Sequence, residues 1–389
     1  MKFLHTSDWH VGKTLKGRSR LEEQRDVMRE VVVLAREHAV DAVLVAGDLY
    51  ETSAPSAEAQ QLVVQTLLAL RGTGAEVIAI AGNHDHAGTF DAFRPLMAAA
   101  GITLVGLPRL AADGGVVRFI THAGEPVAVA VLPFLSQRYA INAADLVAFR
   151  PDQNAGSYDQ MVRDLLADLC AGFAADAVNL VMAHLTVTNG QFGGGERAAQ
   201  SIFEYHIPAT AFPAAAHYVA LGHLHRRQQM AAACPVHYCG APLAVDFGEQ
   251  ENTPVVCLVE AAPRIPAKVT DLPITSGRRL RTVRGTVAEL AAQAAEFGEA
   301  LLRVRVCEPA RAGLREEVLA ALPNALEVRI DEEFAAPVNA PAPSQSEASR
   351  SPAELFAEYC QGASVADVRV ARLFDELHDQ VADVAKAGN

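Results

Sequence analysis

The chain has few cysteines and no long apolar run. Six cysteines in 389 residues are too few for the disulfide framework of a small secreted protein. No apolar run reaches the ~18 residues that a membrane-spanning helix needs. Ser7, Asp8 and His10 interrupt the amino-terminal stretch too early for a signal peptide. We therefore expect a soluble, cytoplasmic protein without a membrane segment.

A surplus of basic residues is also missing. The chain has 33 basic and 46 acidic residues, which gives a formal net charge of −13. This balance is unusual for a nucleic-acid-binding protein, whose contact face is generally basic, but it is compatible with local basic clusters. One tryptophan and 6% aromatic residues argue against recognition by base stacking. Contacts with a nucleic acid would therefore go to the phosphate backbone, without sequence preference.

What the sequence does contain is a series of short polar motifs, each directly after an apolar run typical of a buried strand. The predicted strands cover residues 2–6, 41–46, 76–81, 178–183 and 218–221. The motifs supply seven candidate metal ligands, which are Asp8, His10, Asp48, Asn83, His184, His223 and His225. Because the carboxyl ends of parallel strands meet in one crevice, we expect a single site. Carboxylate, amide and imidazole ligands without a thiolate suit two divalent ions such as manganese or iron better than a structural zinc.

The rest of the chain changes character after about residue 260. Pro263, Pro266 and Pro273 indicate a connecting segment. Beyond it, alternating patterns predict a small α+β module, with eight Arg and four Glu between residues 277 and 315. Residues 335–352 are rich in Ala, Pro and Ser, which is typical of an extended linker. Residues 353–389 carry an apolar stripe at helical spacing, which indicates a helix that either docks a partner or folds back onto its own core.

The order and spacing of the motifs resemble those of the calcineurin-like metallophosphoesterase superfamily, and within it the SbcD family of DNA-repair nucleases. HTSDWHVG at residues 5–12 resembles the opening motif of that family, and YVALGHLHR at residues 218–226 resembles the last one. YCGAPL at residues 238–243, followed by Phe247 and Glu249, resembles the strand and turn after it. The resemblance is strong over residues 1–260. Two departures, at Ala241 and at residues 253–254, affect no metal position.

The resemblance implies an architecture. Residues 1–260 would form the metallophosphoesterase nuclease domain, a four-layer α/β/β/α sandwich in the α/β class. Residues 261–334 would form a small α+β capping domain that covers the nuclease site and helps to select DNA. A linker over residues 335–352 would lead to a C-terminal helical tail, residues 353–389, which docks an SbcC-type ATPase. The alternative for the arginines of the capping domain is an ordinary solvated surface.

The resemblance also implies roles for individual residues. One ion would be held by Asp8, His10 and His225, and the other by Asn83, His184 and His223. Asp48 would bridge the two ions. His84 would contact the scissile phosphate and assist the departing oxygen, with Asp85 orienting its imidazole.

Two basic clusters border the predicted crevice. Lys13, Lys16, Arg18 and Arg20 follow the first motif, and Arg226 and Arg227 follow the last one. They are candidate contacts for DNA phosphates, although each of them could instead belong to a solvated loop.

The function implied by the resemblance is a manganese-dependent DNA nuclease. It would act as a 3′→5′ exonuclease on duplex ends and as an endonuclease on single strands or hairpins. It would work as a homodimer within a heterotetramer that contains an SbcC-type ATPase. One alternative is a phosphodiesterase or phosphatase of the same superfamily with a small substrate. Another is a non-catalytic scaffold, although the full ligand set argues against it.

Overall fold

The computed structural model describes residues 1–135, 158–196 and 206–334, together with Phe356, Cys360, Val370 and Phe374. The predicted linker lies outside the described residues, and so does the predicted tail, except for those four residues, which are helical. The chain divides into two compact units, Met1–Asp331 and Glu332–Asn389, and the architecture below is that of the first. Among the described helices, none is long and apolar enough to cross a membrane.

The first unit contains seven described helices and nineteen strands. The helices are α1 (Leu21–Glu37), α2 (Ala57–Arg71), α3 (Ala87–Ala99), α4 (Tyr158–Cys170), α5 (Val287–Ala292), α6 (Ala294–Phe297) and α7 (Leu314–Ala321). The strands are β1 (Lys2–Thr6), β2 (Thr14–Leu15), β3 (Arg18–Ser19), β4 (Ala42–Val45), β5 (Glu76–Ile80), β6 (Ile102–Val105), β7 (Val116–Ile120), β8 (Pro126–Leu132), β9 (Val178–His184), β10 (Thr186–Val187), β11 (His206–Ile207), β12 (Tyr218–Gly222), β13 (Gln228–Met230), β14 (Val236–Tyr238), β15 (Val255–Ala262), β16 (Ile265–Pro273), β17 (Leu280–Gly285), β18 (Leu301–Val306) and β19 (Ala325–Ile330).

Two six-stranded sheets form the body of this unit. Their strand orders are β16-β15-β1-β4-β5-β6 and β13-β14-β12-β9-β8-β7. In the first sheet, β1, β4, β5 and β6 run parallel. In the second sheet, β8, β9, β12 and β14 run parallel. The motif-bearing strands β1, β4, β5, β9 and β12 therefore lie at or near the centres of the two sheets.

The two sheets pack face to face, and helices cover their outer faces. Alternate residues of a strand point to opposite faces, so Ala42 and Leu44 pack between the sheets while Val43 and Val45 pack against the helices. α1, α2 and α3 cover the first sheet, and α4 covers the second. The layers are thus helix, sheet, sheet and helix. This confirms the predicted α/β/β/α sandwich.

The prediction of a connecting segment at Pro263, Pro266 and Pro273 is wrong. Ile265–Pro273 forms β16, an edge strand that pairs antiparallel with β15. Proline is tolerated on an edge strand because the amide that it lacks can face away from the neighbouring strand. The prolines therefore mark the border of the sheet.

A separate three-stranded parallel sheet, in the order β17-β18-β19, follows β16. The predicted alternation of strands and helices is present, with α5 and α6 between β17 and β18 and α7 between β18 and β19. Val283, Leu302 and Val304 pack with α5 and α7 in a core of their own. A smaller cluster formed by Leu15, Phe247, Leu280 and Leu301 joins this module to the sandwich.

Candidate metal centre

The predicted ligands come together where the central strands of the two sheets end. Three groups of side chains lie close enough for each to hold an ion, with all ligand atoms of a group within 4.8 Å of one another. The groups are Asp8–His10–His225, His10–Asp48–His84 and Asp48–His184–His223. All these side chains are buried. The structure thus brings six of the seven predicted ligands together, and the middle group links the outer two through His10 and Asp48. The seventh, Asn83, contacts His184 and His223.

Asp48 lies at the middle of the cluster. Its Oδ2 atom is 3.7 Å from His10 Nε2 and 3.4 Å from His184 Nε2. Its Oδ1 atom accepts the backbone N–H of His84 at 2.8 Å. One carboxylate therefore faces a histidine from each of the two predicted ligand sets.

The Nε2 atoms of His10 and His225 lie close together, although neither carries a hydrogen when its ring is neutral. His10 Nδ1 donates to Glu51 at 3.0 Å, and His225 Nδ1 donates to Glu249 at 2.5 Å. Each ring therefore keeps its lone pair on Nε2 when it is neutral, and the two Nε2 atoms are 3.0 Å apart. Such a contact requires a proton or a cation between the atoms. The pair consequently fits a shared cation.

Asn83 forms a similar contact on the other side of Asp48. His184 Nδ1 donates to the carbonyl of Ala46 at 2.7 Å, so the neutral ring presents a bare Nε2 to Asn83 Oδ1 at 2.9 Å. His223 Nδ1 lies 2.8 Å from the same oxygen. Two acceptors at this distance repel each other unless a proton or a cation lies between them. Together with the carboxylate, amide and imidazole chemistry of the set, this contact fits divalent ions.

Backbone strain is concentrated at the ligands. Asp8, His10, Asp48 and His223 have φ angles of 54°, 46°, 53° and 102°, in a region that residues other than glycine seldom adopt. Residues held in this way often occur at functional sites, where the surrounding structure maintains the strain. The hydrogen bond from His223 N to Asp8 Oδ1 at 3.0 Å is one such restraint.

Two motif glycines allow the strand ends to approach each other closely. A Cβ atom at Gly47 would lie 2.2 Å from His184 Nδ1, and one at Gly82 would lie 2.2 Å from Asp48 Oδ1. Neither neighbour can move without displacing a predicted ligand. The glycines in the Gly-Asp and Gly-Asn-His-Asp motifs are therefore steric requirements of the site.

Burial and nearby charges shift the pKa values of the ionisable ligands in different directions. Burial lowers the pKa of His184 and His225, but nearby carboxylates outweigh burial: Asp48 raises the pKa of His184 to about 9, and Glu249 raises that of His225 to about 10. Burial keeps the pKa of His223 well below its usual value. Burial raises the pKa of Asp48, but His184 and His10 hold it well below its ordinary range. Neighbouring charges therefore shift the pKa values of the carboxylate and of these two imidazoles in opposite directions.

His84 lies at the edge of the cluster with one ring nitrogen already engaged. Its Nδ1 donates to the backbone carbonyl of Glu51 at 2.7 Å. Its ring packs edge-on against His10, with centroids 4.6 Å apart. These two contacts fix the orientation of the ring, which is 5% exposed.

The prediction that Asp85 orients the His84 imidazole is wrong. Asp85 Oδ2 accepts backbone N–H groups from Gly82 at 2.9 Å and Leu49 at 3.2 Å, and Oδ1 accepts one from Tyr50 at 2.9 Å. Burial raises the pKa of Asp85 to about 7, with a further contribution from Asp48. Asp85 therefore joins the two motif loops through their backbones.

The predicted DNA contacts differ greatly in exposure. Arg18, Arg226 and Lys16 are exposed, although Lys16 pairs with Glu327 at 3.2 Å. The half-buried residues Lys13 and Arg227 pair with Glu51 at 2.8 Å and Asp271 at 2.8 Å.

Arg20 does not fit its predicted role as a DNA contact. It is only 2% exposed. Its guanidinium bonds with Glu23 at 2.8 Å and with the carbonyls of Ala244 and Arg278. A buried guanidinium with these partners is a structural connector, so the prediction for Arg20 is wrong.

Sequence reasoning assigned no role at the site to three carboxylates. Glu51 bonds with the ring of His10, Glu249 with the ring of His225, and Glu196 accepts the backbone N–H of His225 at 2.9 Å. No short motif marks them, because each reaches its histidine from a distant part of the chain. The only available signal was the position of Glu249 in the turn that resembles the family pattern.

Comparison with known proteins shows the family of this chain. Residues 1–227 match the family of calcineurin-like phosphoesterases. The chain is 36% identical over 282 residues to the SbcD subunit of the nuclease SbcCD from Bacillus subtilis, covering 72% of this chain and 71% of that protein. It is 30% identical over 304 residues to the protein of the same name from Escherichia coli, covering 75% and 73%. A solved dimetal phosphatase from Danio rerio is 14% identical with a TM-score of 0.38, covering 71% and 99%.

Proposed function

We propose that this chain, which belongs to the SbcD family of calcineurin-like phosphoesterases, is a DNA nuclease that uses two divalent ions. The chain is a metal-dependent hydrolase by family. The observation that carries the two-ion proposal is the pair of buried ligand groups Asp8–His10–His225 and Asp48–His184–His223, which His10 and Asp48 link through a third group. One ion would be held by Asp8, His10 and His225. The other would be held by Asn83, His184 and His223, with Asp48 shared between them.

Each part of the site has a distinct task in the hydrolysis of a phosphodiester. Bound ions supply charge neutralisation and an activated water at neutral pH. The protein contributes rigid donors, since the outer nitrogens of His10, His184 and His225 are fixed by hydrogen bonds. It also contributes a dry environment, because these three rings are at most 3% exposed. Both contributions reduce the reorganisation that the reaction requires.

His84 is the residue that we place on the substrate. Its Nδ1 is held by the Glu51 carbonyl, so Nε2 would contact the scissile phosphate and assist the departing oxygen. An imidazole can donate a proton near neutral pH. Asp85 supports this position indirectly, by tying the loop after β4 to the loop after β5 that carries His84.

Manganese is the ion that we propose for the site. Oxygen and imidazole ligands without a thiolate suit manganese.

DNA would lie across the surface between the basic loops and the small module of β17, β18 and β19. Arg284, Arg305 and Arg329 are neighbours across these three strands and form a basic row. They share a face with Arg303 because residues two apart point the same way. Arg303 stacks over Phe247 at 4.6 Å, so this face is turned toward the turn that carries Glu249. We propose that this module, within residues 261–334, is the capping domain.

The proposed activity is 3′→5′ exonucleolytic degradation of duplex ends and endonucleolytic cleavage of single strands or hairpins, in DNA repair and recombination. An SbcC-type ATPase would be the partner, docked on the tail that follows the linker. The family relationship supports both points.

A second copy of the chain would pack against α2 and α3. A groove of about 540 Å³ lies between these helices and is lined by apolar side chains, among them Phe93 and Leu96. Leu96 is 65% exposed, and Phe93 and Leu68 are 44% and 45% exposed. Exposed apolar patches of this kind mark interaction sites, so we propose a homodimer within the complex.

The proposed substrate is tested by offering two phosphodiesters to the same manganese-loaded protein. Hydrolysis of linear duplex DNA together with a chromogenic phosphodiester is the expected result. Strong turnover of the chromogenic compound with intact DNA, both alone and with an SbcC-type ATPase and ATP, would instead support a small-substrate phosphodiesterase. Less than about one equivalent of bound manganese would support a non-catalytic scaffold.

A further inference from the structure

We propose that Glu249 is a positioning residue that fixes His225 in the orientation required for metal binding. The inference rests on the proposed metal site and goes beyond it, because Glu249 lies outside the ligand set. It assigns to the turn Phe247–Glu249 a direct influence on one of the two ions.

The contact between the two side chains is short and completely buried. Glu249 Oε1 is 2.5 Å from His225 Nδ1, and both side chains are 1% exposed. A carboxylate accepts hydrogen bonds, so a neutral His225 ring donates from Nδ1 and keeps its lone pair on Nε2. That Nε2 points at His10 Nε2, 3.0 Å away, and therefore into the proposed ion site.

The carboxylate itself is held from its other oxygen. Glu249 Oε2 accepts the backbone N–H of Val245 at 2.7 Å. The turn is closed by Asp246, whose side chain accepts the backbone N–H of Gly248 at 2.8 Å. Phe247 is 1% exposed and lies under the Arg303 guanidinium. Glu249 thus has little freedom to follow a displaced ring.

A glycine-rich loop seals the contact from solvent. A Cβ atom at Gly195 would lie 2.0 Å from Glu249 Oε1, and one at Gly194 would lie 2.9 Å from the Gly248 backbone. Only glycine allows the loop to lie this close. The next residue, Glu196, accepts the backbone N–H of His225 at 2.9 Å. His225 is therefore held by one carboxylate at its ring and by another at its backbone.

The other histidines of the site have different supports. His184 donates to a neutral backbone carbonyl, that of Ala46. His10 donates to Glu51, which is 19% exposed and also paired with Lys13. Glu249 is a buried carboxylate whose other oxygen accepts the backbone N–H of Val245. A carboxylate behind an imidazole increases the basicity of the ligand nitrogen and fixes its tautomer. The ion beside His225 should therefore depend strongly on Glu249.

The test compares manganese binding to the full-length native chain, Glu249→Gln and Glu249→Ala by isothermal titration calorimetry. Glutamine retains an acceptor oxygen but loses the charge. Glu251→Gln is the matched control, because Glu251 is exposed and two residues away. We expect one of two manganese sites to weaken about 10–100-fold in Glu249→Gln and further in Glu249→Ala. The other site and the control should remain unchanged. Thermal unfolding without metal should be similar for the native chain and Glu249→Gln.

Three results would overturn the proposal. One is unchanged affinity at both sites in Glu249→Gln. Another is an equal loss at both sites with lower stability of the metal-free protein, as expected for a merely structural residue. The third is a native chain that binds no pair of manganese ions. If the native chain binds two ions but leaves DNA intact, the proposed nuclease activity is refuted, whereas the role of Glu249 in metal binding is still tested by the variants. If Glu249→Gln binds manganese as the native chain does and the native chain cleaves DNA, the role of Glu249 is refuted and the nuclease activity stands.

Discussion

At the scale of single residues, the orientation of the imidazole rings organises the metal centre. His10, His184 and His225 each donate from Nδ1 to a fixed oxygen, of Glu51, Ala46 and Glu249 respectively. Each ring therefore presents Nε2 to the interior of the site. The oxygens that accept the Nδ1 hydrogen bonds therefore fix the ring orientations and contribute to the preorganisation of the site.

The role of His84 leads to a prediction that separates chemistry from metal binding. His84→Ala should lower the rate of DNA cleavage by about 100–10,000-fold, the usual range for loss of a general acid. Its manganese affinity should stay close to that of the native chain, because the proposed ligand sets do not include it. Cleavage kinetics and calorimetry measure the two quantities. His86→Ala is the control, since His86 is exposed and only caps α3. A loss of bound manganese in His84→Ala would place His84 among the ligands instead.

Arg18 and Arg20 provide a second prediction, because they are two residues apart and differ in burial. Arg18→Ala should weaken DNA binding and reduce the salt dependence by about one phosphate contact. Arg20→Ala should lower the free energy of unfolding by about 2–4 kcal/mol, since it leaves Glu23 and two backbone carbonyls without their donor. Fluorescence anisotropy at several salt concentrations and urea denaturation measure these effects. An Arg20→Ala variant that is as stable as the native chain but binds DNA weakly would contradict the structural role of Arg20.

The sequence predicted which ligands lie close together, but not the residues that hydrogen-bond to those ligands. Asp48 and His184 follow apolar runs, so their convergence at strand ends was predictable from the pattern. Glu249 and Glu51 were not, because their contacts are set by loops that close over long separations. The prediction for Arg20 was wrong for the same reason. A basic residue beside a motif resembles a DNA contact, but the guanidinium of Arg20 bonds with the carbonyl of Ala244, which is distant in the sequence.

At the scale of elements, the segment after β16 is tied to α1 by acidic side chains. Glu30 accepts the backbone N–H groups of Thr275 at 2.9 Å and Ser276 at 2.7 Å. Glu23 accepts that of Arg278 at 2.8 Å. Burial raises the pKa of Glu30, but the backbone N–H groups of Ser276 and Thr275 outweigh it and leave the pKa below its usual value. These contacts lie at the entry to β17.

Glu30 gives a prediction about stability and pH. Because its pKa is lowered on folding, its contribution is present above the unfolded pKa of ~4.3 and is lost as the pH falls through the folded pKa. Glu30→Gln should cost about 1 kcal/mol at pH 7, and the difference from the native chain should shrink below about pH 4. Urea denaturation at several pH values measures it, with the exposed residue Glu37→Gln as control. A difference that grows in acid would contradict this account.

The elements were largely predictable from the sequence, except where prolines indicated a break. β1, β5, β9 and β12 lie within one residue of their predicted bounds, because short apolar runs before polar motifs are typical of buried strands. β16 was missed because its prolines and exposed side chains hide the alternation of a strand. Pairing with β15 overrides that local signal.

At the scale of the whole molecule, the groove between α2 and α3 predicts self-association. Leu96→Glu should convert a dimer into a monomer, because a charge at a 65% exposed position would be buried against a second copy. Light scattering at several concentrations measures this. Val33→Glu on α1, where Val33 is 44% exposed, is the control and should remain dimeric. A native chain that is monomeric at all concentrations would rule out the proposed dimer.

The most direct test of the central claim is the degradation of end-labelled linear duplex DNA with manganese by the native chain and by Asp48→Asn. Asp48 lies between both ligand groups, so a two-ion nuclease should lose cleavage when this carboxylate loses its charge. We predict that the native chain shortens the labelled strand from its 3′ end and that Asp48→Asn leaves it intact while remaining folded. Equal cleavage by both proteins, or intact DNA with the native chain even when an SbcC-type ATPase and ATP are present, would contradict the account.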